Sequence, residues 1–178
     1  MARRTPAPTA AVRALVADGA PHVLRPYAHD PRAAAGEGYG LEAASALGVE
    51  PRRVLKTLVA LVDEQPLLAV VPVTGRLDLR ALATARGGRR AVLAEPAAAE
   101  RLTGGVVGAI SPLGLRRPLP VVVDASAAAH DAVLVSAGRR GLDVELAPAD
   151  LLRLCGGAYA EVARPSSPRP SSPRPSSP

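Results

Sequence analysis

The chain has 178 residues, of which 48% are apolar and 21% are charged, a balance that describes one globular domain able to fold alone. Its longest apolar runs, such as residues 67–71, are far shorter than the roughly 18 residues of a membrane helix, and no secretory signal is visible. Composition therefore argues against a membrane protein, and we expect a cytoplasmic location.

The positive charge is modest and unevenly placed. Three of the 22 basic residues lie in the C-terminal repeat at 164–178, which leaves 19 basic and 16 acidic residues elsewhere. Such an excess permits contact with phosphate, whereas wholesale nucleic-acid binders are usually far more basic. With three tyrosines and no phenylalanine or tryptophan, the chain also has no platform for stacking several bases. Any nucleic acid should be bound locally.

Turn residues and hydrophobic periodicity predict the elements in chain order. The first half should contain a helix capped by Thr9 and ended by Gly19, a strand at 22–27, a helix at 39–48, and an antiparallel hairpin of strands 54–62 and 67–73 around a turn at 63–66. The second half should contain helices at 77–87, with Asp78 as its cap, 96–104 and 148–157, and strands at 90–94, 120–124, 132–136, 143–147 and 159–163.

This order mixes adjacent hairpins with helices, which favours an α+β fold over a doubly wound parallel one. The predicted folded domain covers residues 1–163. The repeat at 164–178 has no apolar residue except proline, so we predict an extended, disordered appendage.

Lys56 is the most informative single residue. It is the one lysine among 22 basic residues, the other 21 being arginine. Strand alternation places it on the same face as Leu58, Ala60 and Val62, so its ammonium starts from an apolar wall. A compact charge with three donors suits a phosphate or a reacting oxygen in a tight pocket better than the planar fork of arginine does. The alternative is a lysine at a strand end that reaches water.

Other segments could contribute to a pocket. The glycine-rich stretch 103–114 exposes backbone amides that can hold an oxyanion, although, taken alone, a turn-rich connection explains it better. The stretch 136–146 could bring Ser136 and Asp143 to one pocket, or could be a plain hairpin. Tyr27 could orient a ligand or simply pack.

Candidate nucleophiles are Ser111, Ser136 and Cys155, with His22, His29 and His130 as candidate bases. No nucleophile elbow or cysteine-protease signature surrounds them, so a catalytic triad is weakly supported. Cys155 shares a helical face with leucines and is expected to pack in the core. A single cysteine without nearby ligands predicts no metal site, and no cofactor motif is present.

Five blocks in order resemble the bacterial YbaK/EbsC family, in particular its cysteinyl-tRNA(Pro) deacylases. They are YAHDP at 27–31, VLKTLV at 54–59, VPVTGRLDL at 71–79, TGGVVGAISPLG at 103–114 and VSAGRRGLDVEL at 135–146. The resemblance covers residues of about 9 to 163. It implies the fold of the editing domain of prolyl-tRNA synthetase, a compact mixed, barrel-like β-sheet surrounded by helices.

The resemblance also implies a trans-editing enzyme that removes mischarged cysteine from tRNA(Pro), with the substrate's own thiol attacking its carbonyl and no protein nucleophile. Lys56 would then orient the terminal adenosine. The backbone amides of Gly108, Ala109 and Ile110 would line the ester carbonyl. The aminoacyl pocket would be bordered by Tyr27, Thr57, Ser136 and Asp143.

Many relatives have a second glycine where this chain has Ala109, whose methyl group could narrow the pocket. Deacylation of another small amino acid such as alanine therefore stays open, as do a serine-dependent small-ester hydrolase and a non-catalytic tRNA-binding module. Prolyl-tRNA synthetase is a plausible partner in a ternary complex by family analogy.

Overall fold

The computed structural model describes residues 7–166. Its helices are α1 (Ala10–Asp18), α2 (Pro31–Glu37), α3 (Tyr39–Leu47), α4 (Leu79–Ala85), α5 (Pro96–Thr103) and α6 (Pro148–Cys155). Its strands are β1 (His22–Pro26), β2 (Leu55–Val62), β3 (Gln65–Pro72), β4 (Gly75–Leu77), β5 (Ala91–Leu93), β6 (Val121–Asp124), β7 (Val133–Arg139), β8 (Leu142–Leu146), β9 (Ala158–Ala160) and β10 (Ala163–Pro165).

The strands form three sheets, and the α+β class is confirmed. The largest sheet has the order β5–β2–β3–β6–β9, in which β6 runs parallel to both of its neighbours and the other pairs are antiparallel. A second, antiparallel sheet has the order β1–β8–β7, and β4 pairs with β10. A parallel bridge between Val54 and Leu134 connects the start of β2 to β7.

Most predicted elements are present, and the local signals explain why. Thr9 Oγ1 accepts the amide of Val12 and Gly19 adopts a left-handed conformation, so α1 begins and ends where its caps predict. The turn of the central hairpin is shorter than predicted. The turn consists of Asp63 and Glu64, which have positive φ of 45° and 70°, and β3 begins at Gln65. Helix α2 and strands β4 and β10 were not predicted, because they are short and weakly patterned.

The large sheet is buried on both sides, as its two-sided apolar composition predicted. Even-numbered residues of β2 pack with Leu77 and Leu82 on one face. Odd-numbered residues of β2, with Leu55 and Val59 among them, pack on the other face with apolar residues of α1 and of the β7–β8 pair. The alternation predicted for Lys56 therefore holds.

The C-terminal strand lies at the start of the predicted tail. Because β10 covers Ala163–Pro165 and pairs with β4, the predicted boundary at 163 falls inside a strand. Buried Asp124 holds this strand, since its Oδ2 accepts the amides of Val162 at 2.9 Å and of Ala163 at 2.7 Å. The predicted disorder of the remaining repeat concerns residues 167–178, which lie outside the described residues.

Within the described part of the chain, none of the helices combines the length and the apolar character needed to cross a bilayer.

Candidate active site

One cavity of about 330 Å³ lies between β2, α3, the loop after α5 and the β7–β8 pair. Seven of the eight residues predicted for the site line it: Tyr27, Lys56, Thr57, Gly108, Ile110, Ser136 and Asp143. They come from five separate segments, so the fold assembles the site from distant parts of the chain. Ala109 is the exception.

Lys56 stands on the β2 wall of this cavity. Its side chain is half-buried and its ammonium donates to the carbonyl oxygen of Gly75 in β4 at 2.7 Å. Burial, with a smaller contribution from the charge of Arg76, lowers the pKa of Lys56. An ammonium has three donors, so two remain for a ligand after the bond to Gly75. The structure thus holds a strong donor group in a fixed position at the cavity wall.

Thr57 presents an unsatisfied group in the same wall. Its Oγ1 is buried and has no hydrogen-bond partner among residues 7–166. Strand β5 pairs only with Ala60–Val62, so the first half of β2 presents an open edge where Thr57 lines the cavity. A buried hydroxyl without a partner costs about 1–3 kcal/mol. A polar ligand in the cavity would remove that cost.

Two buried carboxylates, Asp143 and Glu42, lie near each other, and Asp143 lines the cavity. Asp143 is 5% exposed, and burial, followed by the charge of Glu42, raises its pKa to about 6. Burial also raises the pKa of Tyr27 to about 12, with the charges of Asp143 and Glu42 adding to the effect. Tyr27 therefore keeps its proton, while Asp143 is mostly ionised at neutral pH. This region suits the ammonium group of a ligand.

The glycine-rich loop forms another wall of the cavity. Gly108, with φ of 86°, and Ile110 line the cavity, and their amides have no acceptor among the described residues. Ala109 differs, since its amide donates to the carbonyl of Val106 at 2.9 Å and its side chain is buried away from the cavity. We therefore assign no carbonyl contact to Ala109, and its methyl group does not narrow the cavity.

A set of side chains from outside the loop holds it in place. The ring of Tyr39 lies so close to Gly108 that a Cβ built there would be 2.7 Å from the ring carbons. The guanidinium of Arg140 lies 5.0 Å from the centroid of the same ring and donates to Val107 O at 2.8 Å. Tyr39 and Arg140 thus form a clamp on the loop.

This clamp is anchored in turn by a buried acid. The rings of His29 and Tyr39 stack with centroids 5.9 Å apart. Glu42, 3% exposed, accepts from His29 Nδ1 at 2.9 Å and from the amide of Asp30 at 2.5 Å. Sequence reasoning missed Tyr39, Arg140 and Glu42. One signal existed, because Glu42 is an acid on the buried face of α3 beside Ala43 and Ala44.

The candidate nucleophiles are less well placed. Ser111 lies outside the cavity, buried, and its Oγ accepts the amide of Leu113 at 3.2 Å. Ser136 lines the cavity, but its Oγ accepts the amide of Gly138 and contacts no histidine in residues 7–166. Cys155 packs against the core as predicted, and burial raises the pKa of its thiol. None of the three has the partner that an activated nucleophile needs.

Among residues 7–166 no group of three or more histidine, cysteine or acidic side chains is arranged to bind a metal ion.

Comparison with known proteins adds independent information. The family described as the aminoacyl-tRNA editing domain matches residues 39–154. EbsC of Enterococcus faecalis, described as a candidate Cys-tRNA(Pro)/Cys-tRNA(Cys) deacylase, is 38% identical over 120 residues, which cover 67% of this chain and 73% of that protein. The multifunctional Ser/Thr-tRNA deacylase ProXp-y of Escherichia coli K12 is 38% identical over 91 residues, which cover 51% of this chain and 54% of that protein.

Solved structures agree. The crystal structure of a candidate trans-editing enzyme for prolyl-tRNA synthetase has a TM-score of 0.74 and 27% identity, covering 90% of this chain and 99% of that one.

Proposed function

The chain belongs to the aminoacyl-tRNA editing domain family, as the resemblance in its sequence predicted, and we propose that it removes mischarged cysteine from tRNA(Pro). Its relatives are named as tRNA deacylases, so the chain is an aminoacyl-tRNA deacylase. The proposal includes three further points. They are the selection of cysteine, a cytoplasmic location and a complex with prolyl-tRNA synthetase. They draw on the similarity to EbsC and to the trans-editing structure.

The observation that carries this proposal is the content of the cavity. It holds an ammonium, a free hydroxyl, a carboxylate and two free amides, yet its serine has no histidine partner among the described residues. A site of this kind is equipped to bind and align an ester. Its chemistry is best explained if the attacking group belongs to the substrate.

Each wall would then have a distinct task. Lys56 and Thr57 would hold the terminal ribose and adenosine, while the amides of Gly108 and Ile110 would face the ester carbonyl. Asp143, ionised at neutral pH, would bind the α-ammonium of the amino acid and so fix the direction of its side chain. Ser136 and Tyr27 would complete the polar border of the aminoacyl pocket.

In the proposed step the cysteine sulfur attacks the ester carbonyl carbon. A bond forms between sulfur and carbonyl carbon, and the bond from that carbon to the ribose oxygen breaks. The ribose oxygen receives the proton that the thiol gives up, so the products are a thiolactone and a tRNA with a free 3′ end. Negative charge develops on the carbonyl oxygen during the attack, which is where the loop amides would act.

Alignment alone could supply much of the rate. An aminoacyl ester is already activated, and holding two reacting groups in a near-attack geometry is worth up to about 7–11 kcal/mol in ideal cases. Selectivity would follow from chemistry as well as fit, because an amino acid without a thiol cannot cyclise in this way. A hydrophobic pocket by itself separates substrates that differ by one methylene only about 10–200-fold.

A second candidate is deacylation of serine or threonine, favoured by the similarity to ProXp-y. Their hydroxyl groups are similar in size to the thiol but far weaker as nucleophiles at neutral pH. A deacylase acting on them would use water as the attacking group, and the same cavity residues would orient that water.

A panel of charged tRNAs tests both candidates. We expect Cys-tRNA(Pro) to be deacylated much faster than Ser-, Thr-, Ala- or Pro-tRNA(Pro), with thiolactone or its hydrolysis product detected by mass spectrometry. Equal rates for cysteine and serine at matched occupancy would reject the thiol mechanism. An acyl-enzyme trapped on Ser136 would instead support a serine hydrolase, and tight binding without any turnover would support a non-catalytic module.

A further inference from the structure

Two arginines face each other behind the Lys56 wall. In the β4–β10 pair, Arg76 is directly opposite Arg164, and both side chains are exposed. Directly opposite residues of antiparallel strands project from the same face with Cβ atoms about 4.5–5.5 Å apart. Like charges in that arrangement repel each other and weaken the pair. The strands therefore place two arginine side chains next to each other at a cost.

The backbone that holds them is firmly attached. Asp124 accepts the amides of Val162 and Ala163, directly before Arg164, and Val162 is fully buried. From the other strand, the amide of Asp78 donates to the carbonyl of Val162 at 2.7 Å. The two strands are thus fixed at the end next to the arginines, so repulsion cannot be relieved by separating them.

The arginine pair is connected to the cavity through Gly75 and Lys56. Gly75, adjacent to Arg76, accepts the hydrogen bond from Lys56, and Lys56 lines the cavity. Arg76 is close enough for its charge to lower the pKa of Lys56. Lys56, Arg76 and Arg164 therefore form a series of three cations that runs from the cavity wall to the protein surface.

The charge of this series is poorly balanced. Within residues 7–166, none of the three makes a salt bridge. Asp78 lies close enough to Arg164 for the charge of that arginine to help lower its pKa. Its Oδ1, however, accepts the amides of Arg80 and Ala81 as the cap of α4. A polyanion at this position would meet unsatisfied positive charge.

We propose that Arg76 and Arg164 form a phosphate-binding subsite that holds the phosphodiester next to the terminal nucleotide of the tRNA. The inference rests on the proposed function, because the aminoacyl ester sits on the terminal ribose and the nearest anion of that substrate is the phosphate on its 5′ side. Guanidinium groups bind phosphate with paired donors, and a phosphate between two of them replaces repulsion by attraction. The subsite would guide the 3′ end towards Lys56.

Binding of uncharged tRNA(Pro) at several salt concentrations tests the subsite. We expect Arg76→Gln and Arg164→Gln each to weaken binding about tenfold and to lower the slope of log affinity against log salt by about one. With Cys-tRNA(Pro), KM should rise by a similar factor while kcat stays within about twofold. Because each substitution removes a repulsive pair, the unfolding temperature should stay the same or rise.

Arg86→Gln is the matched control. Arg86 is exposed at the opposite end of α4 from Asp78. Its substitution by glutamine removes the same charge, so affinity and salt slope should stay close to those of the parent. Parent-like binding by the Arg76 and Arg164 variants, or an equal loss in Arg86→Gln, would overturn the subsite. If the parent does not deacylate any charged tRNA but the binding losses persist, the proposed function fails and the subsite stands.

Discussion

The two walls of the cavity are built in different ways. The β2 wall, with Lys56 and Thr57, is fixed by backbone pairing to β3 along its whole length. The loop wall, with Gly108 and Ile110, has no such ladder, and side chains hold it: Tyr39 against Gly108, Arg140 on Val107 O, and Glu100 Oε1 on the amide of Val107 at 2.9 Å. A strand wall should tolerate changes in its neighbours, whereas the loop wall should move when a single side chain changes.

The largest effect is expected from Gly108→Ala. The added methyl group would lie 2.7 Å from the Tyr39 ring and would displace the loop. If the loop amides stabilise the developing negative charge, kcat should fall about 100-fold, as when an oxyanion donor is lost. Single-turnover deacylation of Cys-tRNA(Pro) measures this effect.

Gly104→Ala provides the control for backbone strain. Gly104 also has a positive φ, of 71°, but a Cβ there meets nothing within 4 Å. Both variants should lose about 1–2 kcal/mol of stability from backbone strain, because both force alanine into the left-handed region, and Gly108→Ala should lose more through its clash with the Tyr39 ring. Only Gly108→Ala should lose activity. Equal activity in the two variants would show that the position of the loop does not matter.

The second prediction concerns the strand wall, where Lys56→Arg should not preserve activity. The ammonium fits against Gly75 O at 2.7 Å, a position that the longer planar guanidinium does not share. A charged hydrogen bond is worth about 1.5–3 kcal/mol, so kcat/KM should fall about 10–100-fold. The reverse exchange at exposed Arg52, just before β2, should have no effect. Parent activity in Lys56→Arg would remove this residue from the mechanism.

The same contrast explains what could be predicted from the sequence. Lys56 was found because strand alternation is local and because a single lysine among arginines is conspicuous. Gly108 and Ile110 were placed near the ester through the family resemblance. The fold class followed from the order of hairpins and helices, and the family match confirms it.

The clamp could not be predicted, because its members are distant in sequence. Tyr39 and Gly108 are separated by 69 residues, and Arg140 reaches back to Val107 across 33. Such contacts depend on how α3 and the β7–β8 turn pack, which no local pattern encodes. Ala109 illustrates the same point, since only the turn to Val106 shows that its amide is engaged. β10 was missed because its residues overlap a proline-rich repeat that reads as tail.

The third prediction concerns Asp143, the buried carboxylate that lines the cavity. Since the folded pKa of Asp143 is about 6, activity of the parent should rise as pH increases through that value and the carboxylate ionises to bind the substrate ammonium. Asp143→Asn should lose this rise and should be about tenfold slower at pH 8. A parent-like pH profile in Asp143→Asn would exclude this role.

The substitution Asp143→Asn should stabilise the folded protein even though it slows the reaction. A carboxyl with a raised folded pKa costs the native state free energy above that pKa, and the cost disappears below the unfolded value near 3.8. Asp143→Asn should therefore be more stable than the parent at pH 8, by up to about 3 kcal/mol, and should lose this advantage towards pH 4. Urea unfolding at the two pH values separates this effect from a general gain in stability.

The smallest effect is expected at the C-terminus, where two truncations separate the strand from the repeat. Deletion of 167–178 leaves β10 intact, so unfolding temperature and deacylation should both be unchanged. Deletion of 164–178 removes two of the three residues that pair with β4, whose Gly75 receives the Lys56 ammonium. We expect that variant to unfold at a lower temperature, by about 2–4 °C for each kcal/mol lost, and to have a higher KM. A drop of equal size in both variants would show that the repeat, and not the strand, supports the Lys56 wall.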